Sequence, residues 1–266
     1  MTRILAITNQ KGGVGKTTTS VNLSASLAAT KRRVLLIDMD PQGNATMGAG
    51  VDKHELQTTL TEVLLGDATA SDAIVSVDNW KFDLLPGNSS MTVAEVKLMT
   101  MIGREFKLRQ ALEEVSDNYD FILIDCPPSL NMLTVNGLVA ANGVIIPMQC
   151  EYYALEGLSA LMKTIEEIKG SVNADLEIDG LLRTMHDPRN NLAIDVSEQL
   201  TQHFGDKVYN TVIPRNVRLA EAPSHGMPIL HYDKTSRGSV AYLALAGEIL
   251  RRQESARFTA GETASA

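Results

Sequence analysis

The stretch Lys11-Gly12-Gly13-Val14-Gly15-Lys16-Thr17-Thr18 carries the residue types needed to grip a polyphosphate. Glycines let backbone N–H groups converge on phosphate oxygens with no Cβ in the way. A helix opening directly afterwards presents its unpaired N–H groups and positive end to the same anion. In such a loop Gly12, Gly13, Val14, Gly15 and Thr18 form the cradle, Lys16 reaches the β and γ phosphates, and the Thr17 hydroxyl holds Mg²⁺. A standard Walker A loop would need Gly at position 10, where this chain has Gln10. The extra lysine, Lys11, is badly placed for the phosphates of its own loop and is expected to reach a nucleotide held by a facing subunit.

Carboxylates follow where this chemistry needs them. Asp125 ends the apolar run Phe121-Ile122-Leu123-Ile124, at a strand tip where it can order the Mg²⁺ shell. Asp38 and Asp40 close a second apolar run. Alternation along an extended segment would put both on one side, one facing Mg²⁺ and the other the attacking water. Adenine is the expected base, since no late Asn/Thr-Lys-x-Asp element offers guanine recognition. The two cysteines, Cys126 and Cys150, have neither CxxC spacing nor a nearby histidine at ligand spacing and read as semi-buried thiols.

The elements that must position these groups are legible as apolar runs. Ile4 to Thr8, Arg33 to Asp38, Phe121 to Asp125 and Gly143 to Pro147 read as parallel strands covered on both faces. Further strands are expected at Asp83 to Leu85, Ile178 to Met185 and Val208 to Val212. Helices are expected at Lys16 to Ala29, Leu60 to Leu65, Val93 to Met101, Phe106 to Val115, Glu156 to Lys169, Leu192 to Phe204 and Ser239 to Arg252. The fold class is α/β, a mostly parallel twisted sheet flanked by helices on both faces. No linker divides the chain, so residues 1–253 are expected as one domain and 254–266 as a disordered tail. No signal peptide or membrane span is apparent, which predicts a cytoplasmic chain.

These motifs resemble the ParA/Soj chromosome- and plasmid-partitioning ATPases, within the deviant-Walker-A class that includes MinD. Lys11 to Thr18 is similar to the family's phosphate loop with its signature lysine. Asp38-Met39-Asp40-Pro41-Gln42-Gly43-Asn44 resembles its switch segment, and Ile124-Asp125-Cys126-Pro127-Pro128-Ser129 its Walker B and second switch. Gln149 to Gly157 and Ile213 to Gly226 resemble stretches of the chromosomal Soj branch. The resemblance runs from about Met1 to Arg252. It implies a Mg²⁺-dependent ATP hydrolase that closes face to face as a homodimer on binding ATP, with Lys11 of each subunit touching the other's phosphates. It further implies non-specific binding of double-stranded DNA, and release from the nucleoid when a ParB (Spo0J-like) partner stimulates hydrolysis. Asp40 matches the residue that positions the hydrolytic water, and Pro214 and Arg215 fall in the adenine-side wall. Arg189 and Arg218 resemble family DNA contacts, with Arg183, Lys207 and Arg237 as secondary candidates.

The composition bears on that expectation. With 24 basic and 32 acidic residues the chain has a net charge of -8, which by itself argues against a nucleic-acid binder. From Leu181 to Arg252, however, nine basic residues face seven acidic ones, so this span is +2 and the remainder -10. Pairing two subunits would align two such regions. Aromatic content of 5% leaves little for stacking on single strands. Met91, Met99 and Met101 suggest an adaptable apolar surface near Val93 to Val115, either core or facing the ParB partner. A MinD-like membrane-binding ATPase is the alternative. It would need a C-terminal amphipathic helix with an insertion face, which Gln253 to Ala266 does not offer. A metabolic relative sharing the loop, such as a small-molecule ligase, and a nucleotide switch without hydrolysis are further readings.

Overall fold

Seven strands form one sheet whose central members are apolar at nearly every position, because helices cover both faces. The computed structural model describes residues 2–151 and 154–263. The first half runs β1 (Arg3–Ile7), α1 (Lys16–Ala29), β2 (Val34–Asp38), α2 (Asn44–Gly48), α3 (Leu60–Leu65), α4 (Ala70–Ala73), β3 (Val75–Val77), β4 (Phe82–Leu85), α5 (Met91–Leu98) and α6 (Lys107–Leu112). It continues with β5 (Phe121–Asp125), α7 (Met132–Ala140), β6 (Gly143–Gln149), α8 (Ala154–Ser171), β7 (Glu177–Thr184), α9 (Asn191–Phe204), α10 (Val217–Glu221), α11 (Ile229–Tyr232) and α12 (Arg237–Thr263). The strand order is β3-β4-β2-β5-β1-β6-β7, and only the β3–β4 pairing is antiparallel.

Alternation along the strands separates two cores. Ala6, Leu35, Ile37, Ile122 and Ile124 pack beneath α3 to α9 on one face. Leu5, Ile7, Leu36, Leu123 and Ile145 pack beneath α1 and α12 on the other. In this order the loops leaving the carboxyl ends of β1, β2 and β5 emerge side by side, which is where an open parallel sheet offers a ligand crevice.

Several expected elements change. Val208 to Val212 forms no strand, only a bridge from Val208 to Leu181. The backbone N–H groups of Asn210 and Thr211 instead donate to the Glu248 carboxylate of α12, both at 2.8 Å. The helix α7 was not anticipated, because its residues are buried almost all round and leave no amphipathic period. Its start is nonetheless marked by Asn131, whose side chain accepts from the Thr134 N–H. The C-terminal helix passes the expected boundary at 253 and runs to Thr263, across a stretch that contains no proline to stop it; residues 264–266 lie outside the described residues. Met91 is core, whereas Met99 joins Val93, Val96 and Ile102 in an exposed row at intervals of three. Residues 152 and 153 of the Gln149 to Gly157 stretch are also outside the described residues.

Candidate nucleotide site

The phosphate loop leaves β1 and enters α1 through left-handed glycines, Gly13 at φ 73° and Gly15 at φ 89°, a region where a side chain would be strained. No heavy atom would meet a Cβ at Gly12 or Gly13 within 4 Å, so this part of the loop faces open space. The loop is braced from behind. Buried Asn9 donates to the Pro147 carbonyl at 2.8 Å and accepts from the Lys11 N–H at 3.0 Å. Thr184, at the end of β7, donates to the Val14 carbonyl at 2.8 Å.

Lys16 is buried, and its Nζ donates to the Lys11 carbonyl at 3.1 Å. Burial lowers its pKa, and the charges of Asp125 and Asp40 oppose that shift. The ammonium is thus held next to the loop with acidic neighbours. Lys11 is exposed, and its ammonium pairs with Glu151 at 2.5 Å.

Asp38 and Asp125 are register partners on β2 and β5, and both are fully buried. Asp125 Oδ1 accepts from Ser20 of α1 at 2.8 Å, and the nearby Thr17 side chain favours the charged form of this carboxylate. Its Oδ2 is buried with no hydrogen-bond partner. Burial, then the charge of Asp38, raises the Asp125 pKa. A buried orphan acceptor beside the Thr17 hydroxyl fits a hydrated Mg²⁺, which keeps several waters and takes few protein ligands.

Asp38 stands differently from expectation. Its Oδ2 accepts from both N and Oγ1 of Thr46, each at 2.7 Å, and its Oδ1 from the Asp40 N–H at 3.2 Å. Asp38 is thus tied to Thr46 through one oxygen and to the Asp40 backbone through the other. Asp40 is half-buried, caps the Gln42 N–H at 2.9 Å, and acts electrostatically on both Lys16 and Asp125. Among the described residues, no group of three or more His, Cys, Asp or Glu side chains is placed to hold a metal ion. Of the four residues expected around Mg²⁺, Thr17 lies beside Asp125, Asp40 acts electrostatically on Asp125, and Asp38 is engaged by Thr46.

Beside the loop lies a cavity of about 390 Å³, mostly apolar, lined by Gly15, Thr18, Thr184, Met185, Tyr242, the segment from Ile213 to Val217, Leu219 and Ala220. Pro214 and Arg215 thus line a cavity shared with Gly15 and Thr18 of the phosphate loop. Asn9, Ser20, Thr46 and Thr184 were missed by sequence reasoning. Only Ser20 left a signal, lying one helical turn beyond Lys16 on the same face.

Protein-family comparison matches residues 2–178 to a family described as an AAA domain. The sporulation initiation inhibitor protein Soj of Bacillus subtilis is 54% identical over 249 residues, covering 94% of this chain and 98% of Soj. The chromosome partitioning protein ParA of Caulobacter vibrioides is 52% identical over 253 residues, covering 94% of this chain and 95% of that protein. The chain belongs to the ParA/Soj/MinD family of P-loop ATPases. Family membership and the phosphate loop make it an ATP-hydrolysing enzyme. A solved structure of cobyrinic acid a,c-diamide synthase from Mycobacterium smegmatis with bound ADP and magnesium superposes with a TM-score of 0.85. It is 39% identical and covers 96% of this chain and 97% of that one.

Within this ParA/Soj/MinD chain the expected DNA arginines are on the surface and engaged by carboxylates of the same chain. Arg189 is 88% exposed and pairs with Asp187 at 2.7 Å. Arg218 pairs with Glu221 at 2.8 Å and Asp233 at 3.6 Å. Arg183 is withdrawn from the surface role, because it donates to Ser197 and to the carbonyls of Tyr209 and Asn210. Lys207 and Arg237 have no ion pair among the described residues. No helix among them is long and apolar enough to cross a membrane.

Proposed function

We propose that this chain binds ATP with Mg²⁺, pairs with a second copy across the phosphate loops, and in that state binds double-stranded DNA without sequence preference. The buried, unpartnered Asp125 Oδ2 beside Thr17, at the mouth of a loop with two lysines, carries this reading. The apolar cavity beyond Gly15 and Thr18 takes the adenine, with Pro214 and Arg215 on its wall. Gly12 to Thr18 wrap the phosphates, and Lys16 gives up the Lys11 carbonyl to donate to them. Mg²⁺, when bound, neutralises developing charge on the phosphates; Thr17 donates its hydroxyl oxygen and Asp125 holds the water shell.

Lys11 exchanges Glu151 for the partner copy's phosphates. Asp40 orients the attacking water, and charge developing on the phosphoryl oxygens is met by Lys16 and Lys11. Two copies side by side align Arg189 and Arg218 of each along a duplex. A ParB-like partner then accelerates hydrolysis and frees the subunits from the nucleoid, so that repeated cycles move or position a chromosome origin. The exposed row Val93, Val96, Met99 and Ile102 is the face assigned to that partner. The identity to Soj and ParA, higher than to the diamide synthase, supports partitioning over small-molecule chemistry.

Replacing Asp40 separates binding from turnover. Asp40→Ala is expected to form ATP-dependent dimers that hold DNA yet hydrolyse ATP about 100-fold more slowly or worse, measured as steady-state phosphate release alongside sizing. Hydrolysis at the wild-type rate would remove Asp40 from the reaction.

A further inference from the structure

We propose that Thr46 is a positioning residue for hydrolysis, acting through Asp38 on the backbone of Asp40. The inference rests on the reading of Asp40 as the water-orienting group. Thr46 is fully buried in α2, on the segment that follows the Asp38–Asn44 motif. Its hydroxyl has a single proton, and the 2.7 Å contact to Asp38 Oδ2 is the shortest available acceptor. The hydroxyl oxygen then accepts from the Gly87 N–H at 3.0 Å. Its own N–H makes a second 2.7 Å bond to Asp38 Oδ2.

With Oδ2 fixed by two donors, Oδ1 is aimed back along the chain and receives the Asp40 N–H at 3.2 Å. Asp40 is the first half-buried residue past β2, and its own carboxylate makes only a local turn contact to Gln42 among the described residues. Beyond its bond to Asp38 the Asp40 backbone receives only the Gly43 N–H at its carbonyl, and the residue before it, Met39, donates its N–H to the Asp125 carbonyl of β5 at 3.0 Å. With Met39 holding the chain to β5 on one side, the Thr46–Asp38 pair sets the position of the Asp40 N–H above the strand ends. The junction has no slack: a Cβ on Gly87 would lie 2.2 Å from the Asp38 carbonyl oxygen, and one on Gly43 would lie 2.7 Å from the Gly87 carbonyl oxygen. A small shift of Asp38 has nowhere to be absorbed but in the segment carrying Asp40.

Thr46→Val keeps the branched shape and removes the hydroxyl, whereas Thr46→Ser keeps the hydroxyl and removes the methyl. The measurement is kcat and KM for ATP in wild type, Thr46→Val, Thr46→Ser and Asp40→Ala, with affinity for a fluorescent ATP analogue as a check on folding. The expected result is a kcat lowered about tenfold or more in Thr46→Val, KM within about twofold, and kcat restored to within about twofold in Thr46→Ser. If Thr46→Val loses analogue binding, Thr46→Ala against Thr46→Ser decides by the same split. A wild-type kcat without the hydroxyl, or an equal loss in Thr46→Ser, overturns the proposal. Full activity in Asp40→Ala overturns instead the reading on which it stands, and the two failures are distinct.

Discussion

At the scale of single residues, the site is a place where charge is concentrated and water excluded. Asp125 is fully buried with one oxygen unpartnered, and its pKa is raised from 3.8 to about 8, chiefly by burial and then by Asp38. In the unfolded chain the same carboxyl ionises near 4. Between those values the folded state holds a proton that the unfolded state has lost, so stability is greatest at low pH and falls as pH rises. The nucleotide-free protein is therefore expected to melt at a higher temperature at pH 6 than at pH 8, with a flatter dependence in Asp125→Asn. A melting temperature that rises with pH in wild type would contradict the burial argument. Lys16, Thr17 and Asp125 were legible in the sequence because glycine spacing and a strand-ending Asp have few other uses. Ser20 with Asp125, Asn9 with Pro147, and Thr184 with Val14 were not, since each pair is more than 100 residues apart in the chain and meets only through the sheet order.

At the scale of elements, three chain segments converge on one tight junction: the end of β2, the start of α2, and the turn after β4. Gly87 sits where these meet, within a shell that leaves no room for a methyl group. Gly87→Ala is expected to cost about 2 kcal/mol through overpacking, lowering the melting temperature by roughly 4–8 °C. It should lower ATP turnover as well, because the displaced atoms belong to Asp38. A circular-dichroism melt and a turnover assay check both, and wild-type values in each would show that the junction has slack. The central strands were readable because continuous apolar runs of five residues have little alternative in an α/β chain. Val208 to Val212 looked the same locally, but Glu248 on α12 captures its N–H groups. The length of α12 was misjudged for a related reason: loss of apolar period marks the end of packing, and the hydrogen bonds of a helix can outrun its packed face.

At the scale of the whole molecule, the net charge of -8 opposes DNA binding, and the structure sharpens the opposition. The arginines expected at the duplex are each paired with a carboxylate in the single chain. Exposed pairs of this kind hold weakly and are screened by salt. A phosphate backbone offering several contacts at once can displace them, whereas one or two isolated phosphates gain little. Affinity should then depend on bringing two copies together, which makes it conditional on ATP and steeply dependent on salt.

The most direct test is the affinity of the protein for a duplex of arbitrary sequence, measured by fluorescence anisotropy with ATP or ADP across a salt series. Wild type is expected to bind only with ATP, and its affinity should fall linearly with salt on logarithmic axes. The variant carrying Arg189→Glu and Arg218→Glu should still bind ATP yet lose the duplex, with the slope flattened by roughly 0.9 for each phosphate contact removed. Equal affinity with ADP, or an unchanged slope after both arginines are replaced, would contradict an ATP-gated DNA-binding pair.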